Sequence, residues 1–170
     1  MPRRSRITLS LAGIVVVAAL AAGGYLWEAR DAGGTDRRAE VARRGAAVMP
    51  FDLERTTHVF AKRSDGGIQT VLADDPDDSE QVALVRAHLG EEAEKFRRGD
   101  LDDPGRIHGM EMPGLSELAA GAGRIEIVYA EVPAGGEIRY RANDPSLVSA
   151  LHAWFDAQVS DHGAHAESGS

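Results

Sequence analysis

Cysteine is absent from this chain of 170 residues. Its absence excludes disulfide bonds, thiolate zinc sites, iron–sulfur clusters and thiol nucleophiles, and also anchoring through a lipidated cysteine. The folded part must therefore be held together by its hydrophobic core, with or without a bound ligand.

Basic residues are too few for a protein that binds nucleic acid. Lys and Arg total 19 against 27 Asp and Glu, which gives a net charge of −8. Arg3, Arg4 and Arg6 lie at the N-terminus, so the rest of the chain is more acidic still. Because binding to nucleic acid rests on cations that neutralise phosphates, no nucleic-acid partner is expected.

The common catalytic motifs are also missing. The chain has no Gly-rich phosphate loop, no Gly-x-Ser-x-Gly and no His-Glu-x-x-His. The acidic strings at 74–78 and 100–103 lack the spacing of an EF-hand loop and are typical of turns and helix caps. The sequence therefore leans away from an enzyme.

The longest apolar run, Ile7 to Trp27, has 21 uncharged residues. This length suffices for a transmembrane helix. Residues 1–6 are basic, so we expect them in the cytoplasm and the C-terminal domain on the extracytoplasmic side of a single-pass membrane protein. The alternative is a cleaved signal peptide ending near Ala19-Leu20-Ala21. The anchor is favoured because the apolar run continues to an interfacial tryptophan.

The rest of the chain divides by composition into three parts. Residues 28–48 are charged and rich in Ala, Gly and Arg, which predicts a flexible tether. Residues 49–163 have the size of one domain with one core. Residues 164–170 form a Gly/Ala/Ser-rich tail that we expect to be disordered.

An internal repeat organises this domain, because residues 55–76 recur as residues 124–145 at a constant offset of 69. Each copy reads as a strand, a Gly-Gly turn, a second strand, Asp-Pro and then a helix. The fold predicted is α+β, a duplicated ββα–ββα unit. Four mainly antiparallel strands would form one sheet with two helices on one face. The residues that recur are Arg55, Val59, Ala61, Gly66, Gly67, Ala73, Asp75 and Pro76, and Arg124, Val128, Ala130, Gly135, Gly136, Ala142, Asp144 and Pro145.

The repeat also predicts which way His58 points. His58 aligns with Ile127 and Phe60 aligns with Tyr129. Ile125, Ile127 and Tyr129 alternate with Glu126, Val128 and Ala130, so the first set is assigned to the apolar face of a strand. We therefore expect the His58 side chain under the helices, beside Phe60.

A long connection, residues 99–123, joins the two copies. Connections of this length are often functional or disordered. This one contains His108, Met110 and Met112 and a possible short helix at 115–120, so we expect it to be packed on the domain. A His-x-Met-x-Met string suits copper because thioether sulfur favours Cu(I). The alternative is that Met112 only fills a gap in the core.

Further histidines lie on or after the predicted helices. His88 has Glu92 four residues later and His152 has Asp156 at the same spacing, the arrangement of a ligating histidine with a supporting acid. The alternative is a boundary histidine that only bonds to its acid. His162 follows the last helix and is placed to fold back toward His58, whereas we expect His165 to be solvated.

Several segments carry a resemblance that spans nearly the whole folded part. TTHVF, DGGIQ, ADDP, IHGMEMPGL and LHAWFDAQVSDHG are similar to segments of a family of small bacterial proteins of unknown function, whose members are often labelled aspartate carbamoyltransferase. The resemblance places His58, His108, Met112, His152 and His162 in recurring segments and implies no catalytic residue. The nearest match to a carbamoyl-phosphate loop, residues 54–57, departs from the Ser-Thr-Arg-Thr pattern, so transferase chemistry ranks last.

The leading hypothesis is therefore a membrane-anchored, extracytoplasmic and non-catalytic domain that binds a transition metal, with copper as the first candidate. Non-covalent haem is a weaker option, because no Cys-x-x-Cys-His attachment sequence is present. The alternative function is a protein-interaction module of the cell envelope that binds no metal. The candidate metal ligands are His58, His88, His108, Met112, His152 and His162.

Overall fold

A computed structural model of the protein describes residues 34–169. The predicted anchor at 7–27, the basic N-terminus and the first part of the predicted tether lie outside these residues. The chain divides after Arg37 into two compact units, of which residues 34–37 and 38–169 are described. No helix within residues 34–169 has both the length and the apolar composition to cross a membrane.

Five strands form one mixed sheet in the second unit. They are β1 (Thr56–Arg63), β2 (Gly66–Ala73), β3 (Ile125–Val132), β4 (Gly135–Ala142) and β5 (Ala166–Gly169). Their order in the sheet is β3-β4-β2-β1-β5, and only the β1–β5 pair is parallel. The α+β class and the four predicted strands are confirmed, whereas a purely four-stranded sheet is not.

The fifth strand comes from the tail for which the sequence predicts disorder. Residues 166–169 pair with His58–Ala61 of β1. The tail is rich in Gly, Ser and Ala, which have little intrinsic preference for strands. It becomes a strand because the outer edge of β1 offers unpaired backbone N–H and C=O groups.

The predicted repeat is present in the strands residue for residue. Adding 69 to the bounds of β1 and β2 gives the bounds of β3 and β4. The central strands β2 and β4 pair antiparallel, and Gln69 lies opposite its own repeat equivalent, Ile138. The two hairpins are therefore related by an approximate two-fold axis that passes near this pair.

The repeated glycines lie where the two hairpins meet and not at the tips of the turns. A Cβ added to Gly66 would lie 2.0 Å from the backbone oxygen of Tyr140, and one added to Gly135 would lie 2.0 Å from that of Val71. Tyr140 and Val71 are themselves repeat equivalents. The prediction that the Gly-Gly pairs form the turns is therefore wrong, because these glycines belong to β2 and β4, where only glycine leaves room for the neighbouring backbone.

Four helices follow or connect the strands. They are α2 (Ser79–Arg97), α3 (Asp102–His108), α4 (Leu115–Gly121) and α5 (Pro145–His162). Asp144 caps α5 by accepting a hydrogen bond from the Ser146 N–H, as predicted. The cap of α2 is Asp78, which accepts from the Gln81 N–H. The connection at 99–123 is packed on the domain and contains α3 and α4.

Both long helices lie on one face of the sheet, as predicted. Leu89 of α2 approaches Gly136, and Phe155 of α5 contacts Phe60 with ring centroids 5.1 Å apart. Phe96 of α2 meets Trp154 of α5 edge to face, at 6.0 Å between centroids. Large buried side chains fill the space between helices and sheet, among them Val71, Leu89, Ile138, Tyr140, Leu151, Trp154 and Phe155.

A further helix occupies most of the predicted tether. Residues 34–48 are helical, and we name the part within the second unit α1. Val41 is 3% exposed, and a Cβ added to Gly45 would lie 2.9 Å from Leu53. Arg38 donates to the Ser160 carbonyl at 3.3 Å. Residues 38–48 therefore pack on the domain, since Ala and Arg favour helix and one apolar side is available.

Candidate functional site

His58 lies on the buried face of β1, as the repeat predicts, and is 3% exposed. Alternate residues of β1 face the helices, so His58 shares this face with Phe60. The ring stacks on His162 with centroids 5.2 Å apart and an interplanar angle of 6°. The end of α5 therefore returns to β1, which brings together two histidines separated by more than a hundred residues.

His108 completes a group of three rings. It lies at the end of α3, is 5% exposed, and meets His162 edge to face at 4.9 Å between centroids. We name His58, His108 and His162 the histidine cluster. Its members come from a strand, from the long connection and from the last helix, so only the folded chain assembles them.

Asp161 orients one ring of this cluster. Its Oδ2 atom lies 2.9 Å from Nδ1 of His108, and both side chains are almost fully buried. A carboxylate only accepts hydrogen bonds, so His108 donates from Nδ1. The neutral form of that tautomer carries its lone pair on Nε2. A carboxylate that fixes the tautomer in this way is typical of histidines that ligate metals.

His88 lies close to the cluster but is not part of it. Its ring meets Phe51 edge to face at 5.6 Å, and Phe51 in turn lies 6.0 Å from His58. The sequence predicts Glu92 as the partner of His88. In the structure the Oε1 atom of Glu92 accepts a hydrogen bond from Lys95 at 2.8 Å. His88 is nevertheless buried, at 8% exposure.

Two other predicted ligands have different surroundings. Nε2 of His152 lies 2.9 Å from the Gly66 carbonyl oxygen, and Asp156 pairs with Lys62, so the predicted His152–Asp156 pair is not formed. Met112 is 5% exposed and belongs to the hydrophobic core, while Met110 is 65% exposed. The packing of Met112 agrees with the alternative interpretation of the methionine string.

A small cavity of about 30 Å³ lies beside the histidine cluster. It is lined by His58, His88, His162, Trp154 and Glu92, among others. Two of these residues carry a ring nitrogen that is buried without a hydrogen-bond partner, Nδ1 of His58 and Nε1 of Trp154. Buried polar atoms are normally satisfied, so this cavity is a place for a polar or cationic guest.

Glu92, Lys95 and Asp103 form a second polar group at the wall of this cavity, which we name the carboxyl cluster. Lys95 donates to Glu92 at 2.8 Å and to Asp103 at 2.5 Å. The two carboxyl groups are therefore held at one ammonium group. Burial, opposed by Lys95, raises the pKa of Glu92 to about 7.

The buried histidines are held in their neutral form. Burial, with the nearby charge of His88 and His108, lowers the pKa of His58 from 6.5 to about 4. Burial, with the charge of His58 and His108, lowers the pKa of His162 to about 3. Burial and the charge of Lys95 also lower the pKa of His88. Neutral imidazole is the form that ligates metals.

The rings do not converge on one point in the arrangement described. Within residues 34–169 no three His, Asp or Glu side chains are placed so that they could hold a metal ion together. The parallel stack of His58 and His162 explains this, because the lone pairs of stacked rings lie in separate planes. Bringing the three rings to one ion requires a rotation of at least one of them about its χ angles.

Sequence reasoning missed three residues of this site. Asp161 pairs with a histidine 53 positions away, Phe51 separates His88 from His58, and Trp154 contributes an unpaired N–H. Asp161 precedes His162 directly, which was the one available signal. Comparisons with protein-family models, with curated proteins and with solved structures found nothing that matches this chain.

Proposed function

We propose that this protein binds a transition-metal ion, with copper as the first candidate, through His58, His108 and His162. It would do so without catalysis, as the extracytoplasmic domain of a membrane-anchored protein. The observation that carries the proposal is the histidine cluster itself: the His162 ring contacts those of both His58 and His108, and Nδ1 of His58, a residue that lines a cavity, is buried and unpaired.

Burial and protonation both support metal binding over a purely structural role. A structural cluster of buried histidines would be expected to pair its ring nitrogens with protein groups. Nδ1 of His58, by contrast, is buried and has no partner. With the pKa of His58 at about 4 and that of His162 at about 3, no proton competes with a metal for these two rings near pH 7.

The cluster also has the means to reach a metal-binding geometry. His162 is the last residue of α5 and is followed by Gly163, which has a positive φ of 59°, so the chain turns directly beyond it. His162 is less completely buried than His58 and His108, which are held by the core. We therefore propose that the His162 ring rotates out of the stack to bring three ring nitrogens toward one ion.

An all-imidazole site suits Cu(II), Zn(II), Ni(II) and Fe(II), and two or three imidazoles also suit Cu(I). Met112 and His88 remain candidates for a further ligand. The extracytoplasmic location is proposed from the sequence of residues 1–27 alone, where an arginine-rich start precedes a long apolar run.

The test is a titration of the full-length protein, purified in detergent without a His tag, with Cu(I), Cu(II) and Zn(II). We expect one tightly bound ion per chain. His58→Phe keeps a flat ring in the stack but removes both nitrogen donors, and should abolish that binding. His152→Phe removes a histidine outside the cluster and should leave it unchanged. Equal affinity in the His58→Phe variant, or no binding by the wild type, would rule out the proposal.

A further inference from the structure

The sheet has one long edge that no other strand of the described chain covers. β3 lies at the end of the sheet and, within residues 34–169, pairs only with β4. The two-residue turn at Pro133 and Ala134 makes Val132 and Gly135 the closing pair of the hairpin. Since residues of an antiparallel pair alternate in their bonding, Ile125, Ile127, Tyr129 and Glu131 turn their backbone N–H and C=O groups outward.

The first copy of the repeat has a strand paired with the equivalent edge. There, His58–Ala61 of β1 pair with β5. Gly169 of that strand packs closely on Val59 and Ala61. Adding 69 gives Val128 and Ala130 in β3, the same residue types.

The two equivalent edges differ in exposure. Ala61 is 8% exposed, whereas Ala130 is exposed to solvent. Val128 is 45% exposed, although Val59 is half buried. β3 therefore presents the surface that a strand covers in the first copy.

We propose that β3 pairs antiparallel with β3 of a second copy of this chain, with the two-fold axis at Val128. The two sheets would then join into one of ten strands. In this register the two Val128 side chains face each other, Glu126 lies opposite Ala130 of the second copy, and Ile127 lies opposite its Tyr129. No two like charges face each other, and the outward backbone groups of both strands are used.

A neighbouring groove gives this interface more than a row of hydrogen bonds. Ala83, Ala87 and Gly90 of α2 and Tyr129 of β3 line a groove along the same edge. A Cβ added to Gly90 would lie 3.7 Å from the Tyr129 ring. Side chains from the inner face of the second β3 would lie at the mouth of this groove. The dimer would be small by the standard of stable interfaces, so we expect it to depend on protein concentration.

One side chain competes with the second copy. Nε of Arg97 donates to the Ile127 carbonyl at 2.8 Å. In the proposed register that carbonyl accepts from the Tyr129 N–H of the second copy. Arg97→Ala, which removes the guanidinium, should therefore favour the dimer. If Arg97 only held α2 on the sheet, its removal would not increase association.

The absence of cysteine makes disulfide trapping a direct test in the full-length protein in detergent micelles. Val128→Cys places two thiols across the proposed axis, where facing Cα atoms lie about 4.5 Å apart. With diamide as oxidant we expect a covalent dimer, formed faster when Arg97→Ala is added. The matched control Glu126→Cys lies on the same strand and face, but its two copies would be about 14 Å apart. That separation exceeds the limit of about 7 Å for a disulfide.

The register is tested a second time without changing Val128. A mixture of Glu126→Cys and Ala130→Cys proteins should give a mixed covalent dimer, whereas neither should give a dimer alone. Equal trapping of Glu126→Cys and Val128→Cys would mean random collision in the micelle and would overturn the proposal. The proposal would also be overturned if the Val128→Cys protein stayed monomeric and the mixture of Glu126→Cys and Ala130→Cys proteins gave no dimer.

Discussion

Replacing Glu92 with glutamine should stabilise the protein, and the gain should grow as the pH rises. Glu92 is 6% exposed and its pKa is raised from 4.5 to about 7, chiefly by burial. The folded chain therefore keeps a proton that the unfolded chain releases between those pH values. Its contribution to stability is fully present below pH 4.5 and is lost as the pH rises through 7. Glutamine keeps the shape and can still accept from Lys95.

The size of the effect follows from the shift in pKa. At about 1.4 kcal/mol per pKa unit, ionisation of the unfolded chain costs the folded protein about 1 kcal/mol at pH 5 and about 3 kcal/mol at pH 7. The difference in unfolding free energy between Glu92→Gln and the wild type should therefore increase by about 2 kcal/mol over this range. His58 and His162 titrate in both proteins, so their opposite pH dependence cancels in the difference.

Urea denaturation followed by circular dichroism at pH 5, 6 and 7 measures this difference. Glu91→Gln removes a carboxylate from the exposed side of α2 and serves as the control for net charge. A difference between Glu92→Gln and the wild type that stays constant from pH 5 to pH 7 would refute the idea that Glu92 is protonated in the folded protein. A difference that becomes smaller as the pH rises would mean that folding lowers the pKa of Glu92 instead of raising it.

Two further substitutions test the packing and the support of the site. Gly114→Ala should destabilise the fold by more than about 2 kcal/mol, because Gly114 has φ of 79° and an added Cβ would lie 2.1 Å from a backbone oxygen of α5. Gly123→Ala, with open space around it, should be tolerated in the same thermal melts. Asp161→Asn should weaken metal binding by about 10- to 100-fold, because it removes the carboxylate charge that supports His108. The control Asp156→Asn, on the exposed face of α5, should leave metal binding unchanged. Unchanged affinity in Asp161→Asn would remove its role in orienting His108.

The strands were predictable because their signals are local and repeated. Ile127 and Tyr129 alternate with Glu126, Val128 and Ala130, and the repeat carries that alternation to His58 and Phe60. The direction of His58 followed from this pattern, whereas the return of His162 followed from its position at the end of the last helix. The cap at Asp144 was equally local, since Asp followed by Pro begins a helix by its own chemistry.

What could not be predicted depends on contacts between distant parts of the chain. β5 has a sequence with little preference for strands and exists because β1 offers an edge. The Gly-Gly pairs suggested turns, but the close approach of β2 and β4 is what requires glycine there. Asp161 and His108 are 53 positions apart, and no spacing rule joins them. Glu92 had two possible partners, and the fold placed Lys95 nearer than His88.

The most direct measurement of the central claim is NMR of the imidazole nitrogens in the ¹⁵N-histidine-labelled full-length protein, recorded while Zn(II) is added. Zinc is diamagnetic and accepts the same imidazole ligands. The account predicts that one ring nitrogen each of His58, His108 and His162 shifts together at one ion per chain, while His152 does not move. Shifts confined to His152 or His165, or none at all, would contradict the assignment of this cluster as a metal site.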